Sequence, residues 1–314
     1  MSRFSPPPLS RRVFVAAGAG ATAGTLLGGC LRAAGEPATG RLITKAIPAS
    51  GERLPVIGLG TDAFRAADRA EIRAEIRRMS ELHGSVIDTA AAYGDSEALI
   101  GDALESLGLR ERMFLASKLV ATGGSSGAVG AESFERSLRR LRTERLDLLQ
   151  VHNLNGVATL VPLLQEWKQA KRIRYVGVTT SRVSQHQELL AVMRSCPLDF
   201  IQVDYSLGNR DAAAAVLPLA LERKLAVLVN LPFGRSSLFA QAAGRELPAW
   251  AADIDVTSWA QYFLKYVVSH PAVTCAIPGS TKVSHLQDNQ GAGRGRLPDA
   301  AMRRKMEEDW DQGS

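Results

Sequence analysis

Only three of the 314 residues are cysteines, Cys30, Cys196 and Cys275. A fold stapled by disulfides is therefore excluded. Cys196 and Cys275 fall near the sixth and eighth of the strands described below, with another strand between them, so both read as small core or near-core residues and not as a bridge. No apolar run is long enough to span a bilayer. Charge of one sign is also scarce: the formal net charge is +6, and Arg3, Arg11 and Arg12 lie in a segment expected to be removed, leaving +3. That is too little for a nucleic-acid binder, and the basic run Arg136 to Arg145 is preceded by Glu135 and broken by Glu144, as on a solvated helix face. Paired carboxylates and metal-ligand sets are missing from the strand ends, which argues against a barrel hydrolase and against a metal site. No glycine-rich loop joins a strand to a helix, and no internal repeat appears beyond strand–helix alternation.

The first thirty residues have their own composition. Ser10-Arg11-Arg12-Val13-Phe14-Val15 is followed by an uncharged, Ala- and Gly-rich stretch to Gly29. The arginine pair ahead of a weakly apolar segment looks like a twin-arginine export signal, which implies the matching export machinery as a partner. Leu27-Gly28-Gly29-Cys30 resembles a lipobox, in which the cysteine is lipidated and becomes the new first residue. Residues 31–40 then form a flexible tether of about ten residues with a mean span of ~15–20 Å. The expected destination is the periplasm or cell envelope, with membrane attachment through a lipid on Cys30.

From Pro55 onward, apolar runs alternate with helical-period segments every 25–35 residues or so, the size of a strand–helix unit. The strands are expected at Val56–Leu59, Ser85–Asp88, Met113–Ser117, Leu146–Val151, Ile173–Val178, Phe200–Val203, Leu225–Val229 and Val273–Ile277. Their interiors are continuously apolar, as in a parallel sheet covered by helices. Eight such units predict an α/β fold, a single-domain (β/α)8 TIM barrel over residues 41–314. Pro218 predicts a kink or break between Ala212 and Lys224. The segment from Pro232 to Ala252 is a long irregular connection of the kind that tends to be functional. The loop Gly123 to Gly127 is expected to be mobile, and Phe64, Phe233 and Trp250 are candidate pocket residues. After Pro298 and Asp299 a last helix is expected, with Arg303–Glu307 and Arg304–Glu308 paired at one-turn spacing.

Asp88, Lys118 and His152 each close an apolar run, and Tyr93 follows just after the first. In a parallel barrel those ends converge on one mouth. An acid, a phenol, an amine and an imidazole gathered there read as proton-transfer machinery; if the reaction is hydride delivery to a carbonyl carbon, the charge left on the oxygen needs a proton and oriented donors. A phenol with an ordinary pKa near 10 is a poor acid at neutral pH unless a cation stabilises its phenolate. Lys118 beside Tyr93 suits that need, with Asp88 holding the ammonium and His152 orienting the carbonyl oxygen.

These residues also carry a resemblance. Val86-Ile-Asp88-Thr-Ala-Ala-Ala-Tyr93-Gly-Asp-Ser-Glu97, the strand ending in Lys118, Leu141-Arg-Thr-Glu-Arg-Leu-Asp-Leu-Leu-Gln-Val-His152 and Ile277-Pro-Gly-Ser280 with Asn289 together resemble the aldo-keto reductase family, in order and spacing, from about Pro55 to Asn289. The resemblance implies NADPH-dependent reduction of a small-molecule carbonyl substrate, with Asp88, Tyr93, Lys118 and His152 catalytic. It places Thr61, Thr179, Thr180, Gln202 and Asn230 at the nicotinamide end of the cofactor and Ser280, Lys282, His285, Asp288 and Asn289 at the adenosine end. NADP is favoured over NAD because an ammonium and a hydroxyl suit a 2′-phosphate. Three positions depart from the family pattern. Thr180 replaces an asparagine amide whose donor and acceptor it cannot both reproduce. Asn230 stands where many members place an aromatic ring, and Gly279 stands where a lysine is usual. A rival expectation is an exported cofactor-binding or regulatory protein that keeps the scaffold and turns over little.

Overall fold

The computed structural model describes residues 40–120 and 127–313. The expected export signal, Cys30, the expected tether up to residue 39 and the Gly123–Ser126 part of the loop expected to be mobile lie outside the described residues.

The chain opens with a short antiparallel hairpin, β1 (Thr44–Ala46) and β2 (Arg53–Pro55), which alternation of apolar residues did not announce because each arm has only three residues. Eight parallel strands follow: β3 (Leu59–Gly60), β4 (Val86–Asp88), β5 (Phe114–Leu119), β6 (Leu146–His152), β7 (Ile173–Thr179), β8 (Phe200–Asp204), β9 (Ala226–Asn230) and β10 (Cys275–Ala276). They lie in sequence order, and parallel bridges from Ile57 to Ala276 and from Gly60 to Gly279 join the last strand to the first. The fold is the expected (β/α)8 barrel.

Ten α-helices are present among the described residues: α1 (Arg69–Glu81), α2 (Ser96–Leu107), α3 (Gly127–Leu141), α4 (Val157–Gln169), α5 (His186–Ser195), α6 (Val216–Glu222), α7 (Ser237–Gln241), α8 (Trp259–Ser269), α9 (Val283–Gly291) and α10 (Ala300–Gln312). The segment from Pro232 to Ala252 is less irregular than expected, since it contains α7. The break predicted near Pro218 occurs, but upstream: a 3-10 turn, Asp211–Ala213, precedes α6. Pro218 sits in the first turn of α6, where its missing N–H leaves no helical bond unmade. None of the described helices is long and apolar enough to cross a membrane.

Two apolar clusters hold the fold. The larger lies between the strands and the surrounding helices. The smaller contains Val86, Phe114, Ala116, Leu148, Tyr175, Phe200, Ala226, Leu228 and Cys275 with Ile47 and Leu54 of the hairpin region. Side chains alternate between the two faces of a strand, so Asp88 shares a face with Val86, Lys118 with Phe114 and Ala116, and His152 with Leu148. One face of each of these three strands thus changes from apolar to polar toward its carboxyl end. Lys45 anchors the hairpin by donating to the carbonyls of Val268, His270 and Val273 at 2.7–2.8 Å.

The last helix departs from expectation. Arg303 donates to Tyr205 Oη at 2.6 Å and to Ser269 Oγ at 2.7 Å, while Glu307 accepts from Tyr266 Oη at 2.5 Å. Both groups are drawn into tertiary contacts and not to each other, because buried tyrosine hydroxyls on β8's following turn and on α8 need partners. Phe64 is fully buried core, and Trp250 donates to Asp309 at 2.9 Å, so of the three aromatic candidates Phe233 alone lines the cleft described next.

Candidate active site

At the carboxyl ends of the strands lies an open cleft of about 640 Å³. Its floor includes Asp88, Tyr93, His152, Thr179, Gln202 and Asn230. Asp88 and Lys118 are 3% and 1% exposed, which makes their pairing obligatory. The Lys118 ammonium contacts Asp88 Oδ2 and donates to the Thr89 carbonyl at 2.8 Å. Asp88 Oδ1 accepts from Gln202 Nε2 at 2.8 Å and from Gln150 Nε2 at 3.4 Å. Room for Gln150 comes from Gly177 on the adjacent strand, where a Cβ would lie 3.1 Å from Gln150 Cγ and 3.0 Å from the Phe200 carbonyl.

Tyr93 lies in the turn after β4. Thr89 N donates to the Ala116 carbonyl at 2.9 Å and Ala91 N to the Lys118 carbonyl at 3.2 Å, pinning that turn to β5. The Lys118 ammonium sits 4.9 Å from the centre of the Tyr93 ring, and the His152 ring stands edge-on to it at 6.0 Å. Burial pushes the Tyr93 phenol above its ordinary pKa, although the Lys118 charge pulls the other way. The cation therefore moderates the phenol without making it a strong acid in the resting site, and the proton stays on the oxygen. Burial also opposes the Lys118 charge, but Asp88 and Tyr93 outweigh it and hold the ammonium above its usual range. Burial, then the Lys118 charge, lowers His152 to about 4, so its imidazole is neutral at pH 7 and carries one N–H donor.

The neighbouring polar groups fall into two sets. Thr61 Oγ1 donates to the Asp88 carbonyl at 2.9 Å and accepts from Ser96 Oγ at 2.8 Å, tying β3 to β4 at the rim. Gln202 is held at both ends of its amide: by Asp88, and by Thr179 Oγ1, which donates to its Oε1 at 2.9 Å. Asn230 Nδ2 donates to the Thr180 carbonyl at 3.1 Å, and its Oδ1 is buried with no hydrogen-bond partner in the protein. That orphaned acceptor borders the cleft and fits a ligand amide N–H. Thr180 is used differently from the expectation: its hydroxyl donates to Gln185 Oε1 at 2.6 Å, accepts from Arg182 N at 3.1 Å, and does not line the cleft.

At the other end of the cleft stand Gly279, Ser280, Thr281 and His285. Lys282 is exposed and outside the cleft lining; Asp288 accepts from Gln261 Nε2 at 2.7 Å, and Asn289 is buried on α9. One participant was missed. Glu75 of α1 accepts a 2.5 Å hydrogen bond from Ser280 Oγ. Its signal in the sequence was a charge within the apolar stripe Ile72, Ile76, Met79. Sequence reasoning also did not single out Asp62, Arg182 and Arg235, which border the cleft on loops. No group of three or more His, Cys, Asp or Glu that could hold a metal occurs among the described residues.

Residues 56–307 match the sequence profile of the Aldo/keto reductase family. Methylglyoxal reductase YeaE of Escherichia coli strain K12 is 33% identical over 258 residues, covering 78% of this chain and 88% of its own. An aldo-keto reductase from Klebsiella pneumoniae, solved in complex with NADPH, superposes with a TM-score of 0.72 at 25% identity, covering 86% of this chain and 96% of its own. Another structure of a K. pneumoniae aldo/keto reductase, in complex with NADP and acetate, gives 0.70 at 25% identity, covering 88% and 96%.

Proposed function

Because the chain belongs to the aldo/keto reductase family, we propose that it reduces aldehyde or ketone carbonyls to alcohols with NADPH, Tyr93 supplying the proton. The observation that carries this proposal is the Tyr93 phenol set between the buried Lys118 ammonium and the His152 imidazole at one cleft. The bound dinucleotide supplies the hydride. Thr179, Gln202 and Asn230 would hold its carboxamide end, with Asn230 Oδ1 the available acceptor, and Thr61 would border it. Ser280 and His285 would hold its adenosine end.

Each residue then has a physical task. His152, neutral, donates its N–H to the carbonyl oxygen and orients it without adding a positive charge that would compete with Lys118. As negative charge grows on that oxygen, the Tyr93 proton moves to it, and the phenolate left behind is stabilised by the Lys118 ammonium. Asp88, anchored by Gln202 and Gln150, keeps Lys118 charged and in place. The same intact set argues against a scaffold with little turnover. The test is Tyr93→Phe with methylglyoxal and 4-nitrobenzaldehyde as probes: turnover should fall by about 10²–10⁴-fold while dinucleotide affinity stays near that of the parent. Retention of most of the activity would remove Tyr93 from the mechanism.

The amino-terminal signal adds a proposal of location. The chain is exported folded through the twin-arginine route and held at the membrane by lipid on Cys30. A barrel folded in the cytoplasm could cross with its dinucleotide already bound. Replacing Arg11 and Arg12 by lysine should retain full-length protein in the cytoplasm, and Cys30→Ser should release exported protein from the membrane fraction. Unchanged fractionation in either case would defeat the corresponding half of the proposal.

A further inference from the structure

Behind Ser280, at the adenosine end of the cleft, lies a buried carboxyl group that the reductase mechanism does not use. Glu75 is fully buried on α1. Its Oε1 accepts from Ser280 Oγ at 2.5 Å, and its Oε2 has no hydrogen-bond partner. Ser280 is itself 5% exposed and borders the cleft. A serine hydroxyl carries one hydrogen. The Ser280 hydrogen has two acceptors within reach, Glu75 Oε1 and the Lys282 carbonyl at 3.0 Å. A phosphate oxygen at the same serine would be a third claimant.

We infer that Glu75 is a specificity-determining residue for the dinucleotide, competing with the ligand's 2′-phosphate for the single hydrogen of Ser280. This rests on reading the cleft as the NADPH site. When Glu75 carries a proton it donates to Ser280 Oγ, and the serine hydrogen is free to turn to the phosphate. When Glu75 is ionised it claims that hydrogen and places a buried negative charge behind the residue meant to receive an anion. Binding of a 2′-phosphorylated ligand to protein in which Glu75 is ionised therefore takes up one proton onto Glu75 from solvent, and binding of the unphosphorylated form does not.

The surroundings favour the protonated state. Burial raises Glu75 to about 7, with the Glu71 charge adding to the rise and hydrogen bonds from Ser280 and the Lys282 backbone opposing it. On α1, Glu71 accepts from Val283 N at 2.9 Å, and Arg78 is turned to Gln287 and Glu81. From the α9 side come the exposed Lys282 and His285, and Asp288 is bound to Gln261. Asp62, on the loop after β3, approaches Gly279 so closely that a Cβ there would lie 3.5 Å from its Oδ1. On α2, which packs against α1, Asp102 is paired with Arg69 and Arg142. None of these cations contacts Glu75, so a proton and not a counter-ion neutralises it.

The experiment is calorimetric titration of the full chain with NADP and with NAD between pH 6 and pH 8, for the parent and for Glu75→Gln. In the parent, NADP affinity should fall roughly tenfold over that range while NAD affinity stays level, and NADP binding near pH 7 should show proton uptake when repeated in buffers of different ionisation enthalpy. Glu75→Gln should bind NADP at pH 8 as tightly as the parent does at pH 6. The 2′-phosphate, with its own pKa near 6, also titrates, but it does so with both proteins, so the difference between the two isolates Glu75. Ser280→Ala is a second route that does not depend on the first variant folding: it should bind NADP weakly at every pH, without the step. The same pH step in the parent and in Glu75→Gln, with both dinucleotides binding, would overturn this inference alone. Failure of either dinucleotide to bind the parent at any pH would overturn the reading of the cleft and the inference with it.

Discussion

Two carboxylates, one at each end of the same cleft, are buried almost completely, and the protein handles them in opposite ways. Asp88 is surrounded by donors: the Lys118 ammonium and the amides of Gln202 and Gln150. Glu75 has no cation in contact: the Ser280 hydroxyl and the Lys282 backbone are its hydrogen-bond partners, and its second oxygen has nothing to bond. A buried carboxylate stays ionised where a cation and several donors compensate its lost hydration, and takes up a proton where they are missing. Asp88 is thus held in an ion pair that serves Lys118 and, through it, Tyr93. Glu75 is a group whose charge depends on pH.

The strongest way to break this contrast is Lys118→Met, which turns Asp88 into a buried charge without its cation. Turnover should fall by about 10²–10⁴-fold, and denaturant unfolding should show a loss of about 3–5 kcal/mol. Adding Asp88→Asn to that variant should restore most of the stability and none of the activity, because the pair is then neutral but Tyr93 still lacks a cation. If Lys118→Met alone were as stable as the parent, the Asp88 charge would not depend on Lys118.

The next effect concerns His152. Its imidazole pKa is lowered in the folded state to about 4 from an ordinary 6.5. The folded protein therefore binds this proton later than the unfolded chain does, and the associated stability is full above about pH 6.5 and is lost as pH falls toward 4. Proton NMR of the His152 ring should show no titration between pH 5.5 and 7.5, and a step near 6.5 would contradict the buried, neutral imidazole.

Glu75 has the opposite sign. Its folded-state pKa is raised to about 7 from 4.5, so its contribution is most favourable below about pH 4.5 and declines as pH climbs through 7. Glu75→Gln should match the parent in acid and exceed it at pH 8, by on the order of 1 kcal/mol in denaturant unfolding. Equal stability of the two proteins at pH 8 would mean that Glu75 finds a partner when ionised. The smallest change is expected from Lys282→Ala: an exposed ammonium outside the cleft lining should alter NADP affinity by at most about 1 kcal/mol, with a difference that fades in high salt.

The same two ends differ in how far they could be read in advance. Asp88, Lys118 and His152 were legible because each closes an apolar strand, and eight parallel strands bring such ends together whatever the loops do. Tyr93 was legible because it follows Asp88 by only five residues. Glu75 was not: nothing in a helix on the outside of the barrel says which loop it will meet, and Ser280 lies 205 residues away. The family resemblance puts Thr180 on the cleft, but its hydroxyl has nearer partners in Gln185 and Arg182. Arg303 and Glu307 had the spacing of a helical pair, yet buried tyrosine hydroxyls outbid each for the other.

By itself, then, the sequence determined the barrel, the order of its strands and the four groups at its floor, because strand periodicity and apolar burial act locally and repeat eight times. Only the tertiary structure decided which proton each group holds and which donor each acceptor meets. Those outcomes depend on desolvation and on hydrogen bonds a few ångströms long between residues far apart in the chain, and both exist only once the helices have packed around the strands.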